Sequence, residues 1–83
     1  METVSIESFI EEELDNLTKK NLLDKISNGK LNSLKSQQIV FNRFIIEIKF
    51  SEKRVVIIDD AFFEETIPLE LSLSDFIKKI DKA

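Results

Sequence analysis

Any chemistry in this chain falls to carboxylates, amines and hydroxyls, because it has no His, Cys, Trp or Tyr. The densest such group is Asp59-Asp60-Ala61-Phe62-Phe63-Glu64-Glu65, which sets acids on both sides of two adjacent phenylalanines. Carboxylate oxygens are the ligands that Mg²⁺ and Ca²⁺ prefer. A calcium loop also needs acids at alternate positions and a glycine at its turn, and this segment has neither. Core packing and molecular recognition both match the segment better than metal binding does. Successive side chains of a strand point to opposite faces, so Phe62 and Phe63 cannot both enter one core from a regular strand. Either one of them plugs the end of a sheet, since aromatics dominate small cores, or an aromatic anchor stands inside an acidic rim, which is the anatomy of a binding hot spot. On the second reading Asp59, Asp60, Phe62, Phe63, Glu64 and Glu65 form the contact site for another protein with a basic surface.

The remaining constellations carry less. Glu47-Ile48-Lys49 resembles the Glu-x-Lys half of a metal-dependent nuclease signature, and residues two apart on a strand do share a face. No upstream strand Asp accompanies it, so the pair reads as an ordinary solvated one. Ser72 and Ser74 have no His to activate them and stand where a helix needs N-cap oxygens. Gly29 is the only glycine, which excludes the phosphate-cradling and dinucleotide-binding loops. Without imidazole or thiolate, zinc fingers, Ser-His-Asp hydrolysis and thiol redox chemistry are excluded as well. The chain is expected to be non-enzymatic, with no cofactor and no metal.

Charge is distributed unevenly along it. Residues 1–17 carry six acids and no base, residues 59–70 carry five acids and no base, and residues 18–54 carry nine bases against three acids. Acids on the first helix suit its positive dipole end and solvent, or they steer a basic partner. The basic segment, including Lys19, Lys20, Lys25, Lys30, Lys35, Arg43, Lys53 and Arg54, is the basis of an alternative: a nucleic-acid-binding or regulatory subunit. The formal net charge of −4 works against phosphate binding, so nucleic acid is the less favoured partner.

These groups have to be positioned by 83 residues, which fit a single domain over residues 1–83. Ile6, Phe9, Ile10, Leu14 and Leu17 have helical spacing from about Ser5. Leu22, Leu23 and Ile26 are out of phase with them, which predicts a break near Thr18–Asn21, a Thr18 cap and a second short helix stopping at Asn28-Gly29. Lys30–Gln38 reads as a polar connector pinned to the core by Leu31 and Leu34. From Ile39 to Phe50 the period becomes two, with Val40, Phe44, Ile46, Ile48 and Phe50 on one face of a long strand. Ser51-Glu52-Lys53 is a turn and Arg54–Asp59 the β-branched return strand. Thr66–Leu71, with Ile67, Leu69 and Leu71 inward, is an edge strand because Pro68 has no N–H. Ser72–Asp75 caps a terminal helix containing Phe76, Ile77 and Ile80.

The expected fold is therefore α+β: an N-terminal helix or two, a three-stranded antiparallel β-meander and a C-terminal helix. Phe41 and Ile45 would lie on the sheet face away from the core, which makes a homodimer or other homo-oligomeric structural component a further possibility. No segment reaches the roughly 20 apolar residues of a membrane span, and the lack of Cys favours a reducing compartment, so a cytoplasmic location with no membrane partner is expected. Ten Lys to two Arg, with many Ile, Asn and Phe, fit an AT-rich genome, and hence a bacterium or one of its phages. Size, acidity and the missing catalytic groups together point to a small acidic inhibitor, immunity protein or antitoxin.

Overall fold

A computed structural model describes residues 2–83. The Ser5 hydroxyl accepts the Ser8 amide and starts α1 (Ile6–Glu13), whose Ile6 and Phe9 are buried. Asp15 opens α2 (Asn16–Leu31) by accepting the Thr18 amide at 2.7 Å. The break thus falls at Leu14-Asp15, earlier than the expected Thr18–Asn21, because the aspartate and not Thr18 supplies the cap. As a result Leu17 turns outward (67% exposed), while Leu22 and Ile26 enter the core.

α2 also runs past Asn28-Gly29, the expected stop. Gly29 is buried within the helix, and a Cβ at that position would overlap the Phe50 ring. The helix ends instead in a Schellman turn: the Leu34 N–H donates to Gly29 O (3.0 Å) and the Ser33 N–H to Lys30 O (3.2 Å). Ser33 takes the left-handed conformation (φ 54°) usually left to glycine. Leu31 and Leu34 lie outside the core, at 81% and 42% exposure, and do not pin the segment as expected.

β1 (Glu2–Thr3) pairs in parallel with β5 (Thr66–Ile67). The main sheet is antiparallel, in the order β2 (Ser36–Val40), β3 (Phe44–Lys49), β4 (Arg54–Asp59) and β6 (Leu69–Ser72). It has one strand more than the expected meander, because the segment from Ile39 to Phe50 divides at Phe41–Arg43. Pairing of Val40 with Ile45 turns β2 back along β3, and the Phe41 N–H closes the turn on Phe44 O (2.8 Å). Phe41 consequently packs edge-on against Phe9 (5.1 Å between centroids) and not on the outer face. Val40, expected inward, is 67% exposed, and Ile39 takes the inward position.

Phe44, Ile46 and Ile48 of β3 with Val55 and Ile57 of β4 form the buried face of the sheet. Against it pack Phe9, Leu22, Ile26 and, from α3 (Leu73–Lys82, capped by Ser72), Phe76 and Ile80. Pro68 divides β5 from β6; Ile67 is 46% exposed and not inward, whereas Leu69 and Leu71 pack on the core. Ile45, Val56 and Ile58 stay half-exposed on the other face, next to the Glu47–Lys49 (3.9 Å) and Arg54–Glu70 (2.5 Å) ion pairs. Among the described residues no helix is long and apolar enough to cross a membrane.

Candidate protein-contact site

The connection from β4 to β5 carries the acidic aromatic segment, and one arginine organises it. Arg43, in the β2–β3 turn, donates from Nε and its second guanidine nitrogen to both oxygens of Asp59 (2.8–3.2 Å). Its other terminal nitrogen reaches Glu12 (2.5 Å), and its backbone N–H donates to Glu13 (3.2 Å), so the end of α1 is tied to the same point. Asp59 is only 4% exposed, the one charged residue in the core among those described. Its Oδ1 also accepts the Ala61 and Phe62 amides (3.1 and 3.2 Å), which folds the chain into a turn directly after the strand. The Arg43 guanidinium holds the Asp59 carboxyl below the usual carboxylate range, with the Phe62 and Ala61 amides adding to the effect against the opposing cost of burial.

Asp59 is thus a correction to the expected site. A carboxylate buried and bonded on both oxygens has nothing to offer a partner, and it serves to position the loop that leaves β4. Asp60, Phe62, Phe63, Glu64 and Glu65 are all exposed, Phe62 at 46% and Phe63 at 63%. The turn continues with the Glu65 N–H and the Thr66 hydroxyl both donating to Phe62 O (3.0 and 2.8 Å). Phe62 lies under the Arg43 guanidinium (5.1 Å to the ring centroid), leaving Phe63 as the freer ring. Of the two readings of the aromatic pair, the plug at a sheet end is therefore not what the fold adopts. Both rings are exposed beside Asp60, Glu64 and Glu65, and the one base against them, Arg43 over Phe62, is committed to Asp59 and Glu12.

Arg43 is the organising residue of the site that sequence reasoning misses, since the pattern of charge groups it with a basic stripe. It lies at the opposite end of β3 from Lys53, and both it and Arg54 are held in ion pairs. Lys19 is likewise committed, donating to Asp81 O and Ala83 O at the end of α3 (2.8 and 3.1 Å). Among the described residues no three acidic side chains converge as metal ligands. A scan of protein-family models and searches of curated proteins and of solved structures each return no match.

Proposed function

We propose that this protein is a non-catalytic binding module whose Asp60–Glu65 loop occupies a basic surface on another protein, as a small bacterial or phage inhibitor, immunity protein or antitoxin would. The observation that carries this reading is the exposure of two adjacent phenylalanines in a turn that Asp59, Arg43 and Thr66 hold in shape. Water-exposed aromatics on a fixed backbone are suited to binding, because little conformational entropy is lost when they dock. Phe63 would be the anchor, Phe62 its neighbour, and Asp60, Glu64 and Glu65 the groups that steer a cationic partner.

The test is affinity capture from source cells with wild type, Phe63→Ala and Phe63→Asp, each checked for folding. One protein held stoichiometrically by wild type, lost with both variants and released as salt rises, is the expected result. Equal capture by all three would refute the loop as a contact site.

A further inference from the structure

The opposite end of the molecule carries a groove whose chemistry is the complement of this loop. It runs between the end of α2, the β3–β4 turn and the start of α3, with a volume of about 940 Å³. Its apolar floor is made by Leu34, Phe50, Leu73 and Ile77. Lys30, Lys35, Lys53 and Lys78 line it with no acidic residue among them, and none of the four takes part in an ion pair among the described residues. Backbone bonds from the Ser51 N–H to Lys35 O (3.3 Å) and from the Leu73 N–H to Lys53 O (2.8 Å) tie the three walls together. The two non-glycine residues with left-handed backbone, Ser33 (φ 54°) and Lys53 (φ 56°), both belong to this lining. A lysine at a position that favours glycine keeps an ammonium on the rim at a conformational cost.

The geometry points to a second copy of this chain as the occupant, with the Asp60–Glu65 loop of one molecule docked head-to-tail in the lysine-rimmed groove of the next. The inference rests on the reading of that loop as a contact surface and names its partner. Charge and apolarity match part for part: two exposed phenylalanines face an apolar floor, and three free acids face four unpaired lysines. The loop cannot reach the groove of its own molecule, because the two lie at opposite ends of β4, about 17 Å of strand apart. With a net charge of −4, copies repel on average, and approach of the acidic loop to the lysine-lined groove offsets that repulsion. Such a contact is heterologous, so it builds rings or open chains and does not stop at a dimer.

Sedimentation equilibrium from micromolar to millimolar protein tests this. Wild type should rise above 9.7 kDa to dimers and larger species. It should dissociate several-fold more readily between about 0.1 and about 1 M salt, as the Debye length falls from about 10 to about 3 Å. Phe63→Asp, with its loop disabled, and Lys53→Glu/Lys78→Glu, with its groove disabled, should each remain monomeric. Mixed in equal amounts, they retain one good loop and one good groove between them and should form a dimer that grows no further. A wild type that stays monomeric at millimolar concentration overturns the proposal, as does association that both variants retain, which would place the contact on another surface such as the outer sheet face. If wild type is monomeric yet captures another protein through Phe63, this inference falls and the loop reading stands. If Phe63→Asp changes neither self-association nor capture, both fall.

Discussion

Replacing Arg43 by Ala leaves the buried Asp59 carboxylate with only the Ala61 and Phe62 amides as donors. Because Arg43 holds the Asp59 pKa below its unfolded value of about 3.9, the pair contributes stability above that value and loses it as pH falls toward the lower folded one. Arg43→Ala should therefore destabilise more at pH 7 than at pH 3, as read by urea unfolding followed in the far ultraviolet. An equal loss at both values would mean that Asp59 is not the group being stabilised. Phe63→Ala should behave oppositely. The ring makes no part of the core, so the change in stability should stay within about 0.5 kcal/mol while binding is lost. Asp59 itself shows where sequence reading runs out at this scale. Its type and neighbours place it with the other acids, and only a cation from a turn sixteen positions earlier explains why it alone is buried.

At the level of elements, legibility depends on whether the inward positions are apolar. α1, the β3–β4 hairpin and α3 each keep an apolar stripe and a cap or turn residue, and each lies close to where its pattern places it. β2 is hidden because one of its inward positions is Gln37, which pairs with Ile48 and leaves an unpartnered buried Oε1. The end of α2 is misplaced because glycine ordinarily stops a helix, whereas Gly29 is where the Phe50 ring lies against the helix. The Asp60–Glu65 loop is legible as a segment, but its exposure is not, since exposure depends on Arg43 and on the break before β5. Gly29→Ala yields a prediction here. The substitution normally stabilises a helix by about 1 kcal/mol, and in this chain that gain should be absent because Phe50 must move. In a Phe50→Ala background the gain should return, so a double-mutant cycle in chemical denaturation should show coupling. Additive effects would mean that ring and helix do not compete for the space.

Across the whole molecule, a single core joins the three helices to the four-stranded sheet, and α3 is fastened to it by Phe76 and Ile80, both fully buried. Phe76→Ala should cost about 3 to 5 kcal/mol, a large part of the roughly 5 to 10 kcal/mol expected of so small a domain. A stability loss in urea unfolding much smaller than that would mean the helix can detach without unfolding the sheet. The N-terminal strand joins the fold through the short parallel ladder of β1 with β5, extended by the Val4 N–H donating to Ile67 O (2.8 Å). That ladder also anchors the far end of the Asp60–Glu65 loop, and it is the strand pairing most distant in sequence among the described residues. Closing so long a stretch of chain carries a greater entropic cost than zipping the neighbouring hairpins. In pulsed hydrogen exchange, β3 and β4 should therefore gain amide protection first and Val4 last. A newly made chain would then pack its main sheet before β1 ties down the Thr66–Ile67 end of the Asp60–Glu65 loop.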